Sequence, residues 1–472
     1  MDSGVHTAST LRALVIVLGV VVGLVLMVWF LVRRWSIAGI MATGLFGILV
    51  SADPVASLWI AAAFIVATAG YLLAKGTVAR SLDLDDLTGL LNVGGVLLVA
   101  VVGVQGLANG TIAAIPGDLV GRLDPPRPGQ DSPASAPDIY IVVMDGYPRT
   151  DSVADRLGGD NTAFLSALED RGFTVARSST SSYMYTDLSF TSLFHGRHLF
   201  DIPELGPVLD GANQPALDRQ VLNAAPTLRL FREAGYSTVA NAQAWDEPAL
   251  RDVDLYVDGS GVNEFERHLI RGTLIGSTWE VADEGLEATL LAPWVHDAFA
   301  FLAAAPEVEV PGPRLVFTHI PSPHFPIVFT ADGDPAASTF ATAHPSQVKA
   351  APEIVRRAYL DQVAYLDRVL LATLDSMALP DDAIVILMSD HGPEFGLHWF
   401  DEEKTEFDVR FASFFAAKNA AAFPDDVQVS DVFGILAREV LDKPVELPAR
   451  RFFSNEAEDK FRTLREVADP WG

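Results

Sequence analysis

The chain has 472 residues, with 33 Lys or Arg against 61 Asp or Glu, a net charge of −28. That acidity excludes sequence-independent nucleic-acid binding, which needs a basic footprint. The absence of cysteine excludes disulfides, thiolate metal ligands and a cysteine nucleophile, and is compatible with either redox compartment.

Half of the residues are apolar, and they are unevenly spread. The first 124 residues hold only 6 basic and 7 acidic side chains, so the acidity belongs to the remainder. Ala13 to Val32 is uncharged over twenty residues and is closed by Arg33 and Arg34. That length crosses a hydrocarbon core. Further uncharged runs follow at Trp35–Ala52, Val55–Ala74 and Leu87–Ala108, the last interrupted by Asn92, Gln105 and several glycines. One such run alone would equally suit a signal peptide or a buried core helix. Four in series predict a transmembrane region over residues 1–115, and the first run is long for a signal h-region. Arg33, Arg34, Lys75 and Arg80 lie in alternate connections. Placing these basic loops in the cytoplasm sends the rest of the chain outward.

"DPPRPGQDSPASAP", Asp124 to Pro137, reads as a hydrated spacer within a linker over 116–137. A second domain is expected over 138–472. There "DIYIVVMD" is a buried strand running into Asp145, and "NTAFLSALEDRG" has helical spacing and stops at Gly172. "PTLRLFREAGYSTVANA" gives a helix, a glycine stop and a strand. "PRLVFTHI" is a strand ending near His319, and "IVRRAYLDQVAYLDRVLLATLDSM" is a long amphipathic helix. "DDAIVILMSDHG" is a strand ending in Asp390 and His391. Strands alternating with helices predict an α/β domain with a mostly parallel central sheet.

Three of these strands finish in Asp, His or Asp-His. Ligands of open α/β sheets bind beyond the carboxyl ends of the strands, where residues remote in sequence converge. Asp-Gly after one strand is an ordinary turn. All three strand ends together point to a metal site, and carboxylate with imidazole suits Zn, Mn or Fe more than a purely oxygen site does. "SSYMYTDLSFTSLFHGRH", Ser181 to His198, is polar and then helix-compatible from about Asp187. A hydroxyl there, Thr186 or Ser181, is either a helix N-cap or a nucleophile at a helix start.

In order along the chain, "IVVMDG", "TDLSFTSLFHG", "TLRLFREAGYSTV", "HIPSPHFP" and "ILMSDHG" resemble the alkaline phosphatase and sulfatase superfamily over about residues 137–420. The resemblance is strongest to its membrane-anchored branch, which moves phosphoglycerol or phosphoethanolamine between lipids and envelope glycans. It implies an alkaline-phosphatase-like three-layer domain and a divalent metal (Zn, Mn or Mg), one ion or two. By this resemblance Asp145, Asp390 and His391 are metal ligands, and Thr186 is the nucleophile that also contacts the metal. His319 and His324 match a His-x4-His pair for a second metal or the substrate phosphate. His398 matches a further histidine beyond the Asp-His. Thr186 is not the Cys of sulfatases, and "LSF" replaces their Pro-Ser-Arg. "NAQAWD" lacks the Lys and His of their Gly-Lys-Trp-His stretch. Phosphoryl transfer through a threonine is therefore expected rather than sulfate-ester hydrolysis, with His324 as acid or phosphate contact. The implied substrate is a phospholipid or lipid-linked phosphodiester at the membrane. A phosphodiesterase or phosphatase of the same fold and a non-catalytic membrane binding protein are the alternatives. Tyr147 and Arg149 either border the site or lie in an ordinary loop, Trp245 is expected in the core, and His195 and His198 are packing or surface residues.

Overall fold

The computed structural model describes residues 136–205, 222–245, 248–262, 286–340, 344–398, 402–455 and 463–472, with a few isolated positions. The four apolar N-terminal runs lie outside the described residues but for Gly23, Leu26, Trp29 and Phe30. The chain divides into two compact units, Met1–Arg122 with Val262–Leu286, and Leu123–Gly261 with Glu287–Gly472.

In the second unit, strand β1 (Ile139–Met144) is apolar at every position because both of its faces are covered. Tyr140, Val142 and Met144 join one hydrophobic core, while Ile139, Ile141 and Val143 join another. This two-residue alternation places a core on each side of the sheet. The other strands are β2 (Phe173–Ala176), β3 (Ser237–Asn241), β4 (Leu255–Val257), β5 (Arg314–Ile320), β6 (Ile384–Met388) and β7 (Phe415–Lys418). They form one sheet in the order β2-β7-β6-β1-β5-β3-β4. It is parallel from β6 to β4, and β7 pairs antiparallel with both β6 and β2.

The helices are α1 (Thr162–Glu169), α2 (Thr186–His195), α3 (Pro226–Glu233), α4 (Leu286–Ala304), α5 (Pro352–Ser376), α6 (Phe407–Arg410) and α7 (Val432–Leu441). Helices α1, α4 and α5 feed the core that holds Tyr140, and α2, α3 and α7 feed the opposite one. The result is three layers, helix–sheet–helix: the alternation of elements predicts the α/β class with its mostly parallel sheet, and the family resemblance implies the three layers. Helix α5 shows the reason locally. Tyr359, Val363, Leu366, Leu370 and Leu374 recur every three or four residues and form one buried stripe. Ala288–Glu307 is the one stretch among the described residues long and apolar enough to cross a membrane. Its Leu291, Val295, Ala298 and Leu302 are buried in the core, so it is an interior helix of this domain.

A two-stranded hairpin, β8 (Phe452–Ser454) with β9 (Arg465–Val467), follows the sheet. Register decides what meets at the sheet's carboxyl edge. Val143 is paired with both His319 and Met388, and Met144 with Ile320. Asp145, His319 and Asp390 therefore emerge side by side, although 245 positions separate the first from the last.

Candidate active site

Asp145 is the first residue past β1, and its backbone N–H donates to Ile320 O at 3.0 Å, which ties the strand end to β5. Gly146 follows at φ +66°, in the left-handed region that favours glycine. Its N–H donates to Asp390 Oδ1 at 3.0 Å. Gly392, after Asp390 and His391, runs so close to α6 that a β-carbon there would meet Val409 O at 2.1 Å. Gly146 thus supplies the left-handed turn, and Gly392 lets backbone pass where a side chain has no room.

Asp145, Asp390 and His391 are buried, and one ligand atom from each lies within 4.8 Å of the others. His391 Nδ1 faces its neighbour Gly392 O at 3.0 Å, which assigns the ring proton to Nδ1 and leaves Nε2 as an acceptor, with Arg410 Nη2 3.3 Å away. His391 Nε2 lies 3.2 Å from Asp390 Oδ2, 3.6 Å from Asp145 Oδ1 and 3.2 Å from Thr186 Oγ1. Asp145 Oδ1 and Asp390 Oδ2 have no hydrogen-bond partner among the described residues. Buried acceptors that converge without a donor carry a large cost unless a cation lies among them. A carboxylate–carboxylate–imidazole set of this kind could hold a divalent metal ion. The electrostatics show the same conflict between charges. Burial, and then the Asp145 charge, push the Asp390 carboxyl up to about 8. Burial also acts against the Asp145 charge, but His324 and His319 outweigh it and hold that carboxyl well below the usual range. Burial, followed by the Arg410 charge, pushes His391 well below an ordinary imidazole and keeps it neutral.

Thr186 is the first residue of α2, and the N-cap before it is Tyr185, whose side chain makes no capping bond. Ser181 Oγ donates instead to Tyr183 O at 2.9 Å. Neither hydroxyl caps the helix. Thr186 Oγ1 lies at a helix start whose first N–H groups have no side-chain cap, beside the buried acceptor cluster. Phe190 and Phe194 set this helix against β5, with ring centroids 5.3 and 5.0 Å from Phe317.

His319 and His324 flank the cluster. His319 Nε2 is 3.4 Å from Asp145 Oδ2, and its Nδ1 is 3.0 Å from Gln243 Oε1. Asn241 bonds the His319 backbone on both sides, at 3.0 and 3.2 Å. These two residues belong to "NAQAWD", whose lack of Lys and His marks a departure from sulfatases. His324 donates its backbone N–H to Asp145 O at 3.0 Å, and its side chain is 25% exposed. The ring of Trp245, expected in the core, is half-buried and edge-on to that of His324 at 5.6 Å. His398 is not brought into the cluster. It is exposed, and its backbone N–H and C=O both bond Thr405 Oγ1. Seven residues of loop after His391 carry it away from the sheet edge. His198 is a packing residue, buried with Nε2 2.6 Å from Ala449 O.

Sequence reasoning left two residues of the site without a role, Glu394 and Arg410. Both are buried, and their side chains pair at 3.0 Å. Arg410 also donates to Gly392 O at 2.6 Å and to Met184 O at 2.9 Å. One guanidinium thereby joins the segment that leads into Thr186 to the Asp-His turn. "EFDVRFASFF" carries no motif that announces it; a buried arginine is legible only from its partners.

The profile of the family described as Sulfatase matches residues 137–410, more than half of the chain. The chain belongs to the sulfatase family. A comparison with curated proteins returns no match. Solved structures similar to this sulfatase-family chain include the soluble domain of lipooligosaccharide phosphoethanolamine transferase A from Neisseria meningitidis. It is 12% identical, with 70% of this chain and 94% of that one covered and a TM-score of 0.42. The C-terminal periplasmic domain of EcEptC from Escherichia coli, in complex with Zn, is 15% identical, with 66% and 84% covered and a TM-score of 0.38. The phosphonate monoester hydrolase of Agrobacterium radiobacter is 15% identical, with 69% and 82% covered and a TM-score of 0.41.

Proposed function

We propose that this sulfatase-family chain is a membrane-anchored, metal-dependent phosphotransferase that acts through Thr186 on phosphodiester head groups. It would move phosphoglycerol or phosphoethanolamine from a phospholipid to an envelope lipid or glycan. The carrying observation is Thr186 Oγ1 at the start of α2, 3.2 Å from the unprotonated His391 Nε2 and beside two unsatisfied carboxylate oxygens. Asp145, Asp390 and His391 would hold the ion. Once bound, it supplies positive charge that lowers the hydroxyl pKa and polarises the phosphate.

Thr186 then reacts as the alkoxide, its proton released to solvent as the site is loaded. Its Oγ1 attacks phosphorus while the bond to the diacylglycerol oxygen breaks. The first N–H groups of α2 face the charge that develops on phosphate. His324, whose ring reaches solvent, donates a proton to the leaving oxygen. The acceptor hydroxyl, or water, returns that proton to His324 as it displaces Thr186 from phosphorus. A threonine offers no route to the formylglycine that sulfatases make from Cys or Ser, which favours phosphate over sulfate.

The membrane anchor and the extracytoplasmic placement of the domain are part of the proposal and rest on the apolar runs and the Lys/Arg bias of residues 1–115. The test uses the full-length chain in detergent with divalent metal. Turnover of bis(p-nitrophenyl) phosphate is expected, with none of p-nitrophenyl sulfate. Thr186→Ala should lower turnover by at least about 10³-fold, and chelation should abolish it. Unchanged turnover in Thr186→Ala would refute the reading.

A further inference from the structure

Glu394 Oε1 lies 3.0 Å from Arg410 Nη1 and 3.4 Å from His324 Nε2. Its carboxylate is almost wholly out of water, and Oε2 has no hydrogen-bond partner among the described residues. A buried ion pair is a poor source of stability, since apolar residues of similar volume often serve as well. Of the five Arg410 donors, Nε–H and one Nη2–H go to Met184 O, one Nη1–H goes to Gly392 O, the other Nη2–H faces His391 Nε2 at 3.3 Å, and Glu394 Oε1 takes the last. The chain also makes room for this carboxylate. A β-carbon on Gly146 would stand 3.3 Å from Glu394 Oε1.

What Glu394 reaches that Arg410 does not is His324. The other ring nitrogen of His324, Nδ1, faces Phe325 O at 2.5 Å. Phe325 O thus takes the Nδ1 proton, while Nε2 is only in ion-pair range of the Glu394 carboxylate and is the nitrogen whose proton passes to a leaving oxygen. The half-buried His324 ring lies beside that of Trp245 and 6.3 Å from the His391 ring. We propose that Glu394, braced by Arg410, is a positioning residue that aims His324 at the leaving oxygen of the phosphodiester. The same arginine grips Met184 O, two residues before Thr186, so one buried pair sets both nucleophile and acid. This inference rests on the phosphotransferase reading above and adds a residue to it.

A double-mutant cycle in the full-length chain with divalent metal tests it. The variants are Glu394→Gln, His324→Ala and their combination, with Thr186→Ala as the baseline. The probes are diphenyl phosphate, whose leaving group needs a proton, and bis(p-nitrophenyl) phosphate, whose leaving group needs it less. Glu394→Gln should lower kcat on diphenyl phosphate about tenfold or more, with KM within about twofold and a smaller loss on the nitrophenyl ester. In the His324→Ala background it should add nothing. Unfolding midpoint and bound metal are measured for each variant. Glu394→Asp, which keeps a charge beside Arg410 but withdraws it from His324, carries the same test should Glu394→Gln not fold. Losses that multiply, or that are equal on both esters, overturn the inference. If Thr186→Ala stays active, the phosphotransferase reading itself fails; if it is inactive while the losses multiply, only the role of Glu394 fails.

Discussion

Tyr147, two residues past Asp145, shows how the first strand end is held. It is buried rather than lining the cleft, its ring is 5.0 Å from Phe414, and its hydroxyl donates to Asp367 Oδ1 at 2.5 Å. Burial pushes the Asp367 carboxyl up to about 7, with the Tyr147 bond acting the other way. An unfolded aspartate titrates near pH 4, so between about pH 4 and 7 the folded state binds the extra proton. Stability from this group is full below that window and is lost as pH rises through it. Asp367→Asn does not ionise, so its stability relative to the wild type should rise across the same window. Urea titrations at pH 4.5 and 8 check this, and a constant difference between the two proteins would count against it. None of this pairing was legible in sequence. "YPRT" reads as a loop, and its partner lies 220 residues away.

At the scale of elements, the segment leading into α2 is held from three sides. Thr180 exchanges backbone bonds with Val427 and Val429 at 3.0 Å, and Ser181 N–H donates to Phe411 O at 2.9 Å. Phe453 N–H donates to Ser182 O at 2.9 Å, while its ring stacks on Tyr183 at 5.0 Å and 8°. The β8–β9 hairpin, beyond the residues matched by the family, is therefore a wall of the segment that leads into Thr186. Phe453 is fully buried, so Phe453→Ala should cost about 3–5 kcal/mol of unfolding free energy. It should also lower turnover per folded molecule, because Tyr183 lies three residues before Thr186. Chemical denaturation and activity normalised to bound metal check the two effects separately. Wild-type turnover in the folded fraction would confine the hairpin to a stabilising role.

At the scale of the whole molecule, the acidic charge belongs to the chain after residue 124, and the basic loops Arg33-Arg34 and Lys75–Arg80 belong before it. If these loops face the cytoplasm, a reporter active only outside it, fused after Gly472, should be active, and a cytoplasm-only reporter should be silent. The reverse pattern overturns the proposed topology. The sequence by itself determined the α/β alternation, the apolar runs and the residues at three strand ends, because periodicity and strand–turn chemistry are local. For the hydroxyl, the residues alone left Thr186 and Ser181 open, and the family resemblance chose Thr186. Only the tertiary structure decided that Asp145, Asp390 and His391 share one buried point, since sheet order and register set that meeting. It alone separated His398 from the cluster and gave partners to Glu394, Arg410 and Gln243. Those roles come from contacts between segments far apart in the chain, and no local pattern encodes them.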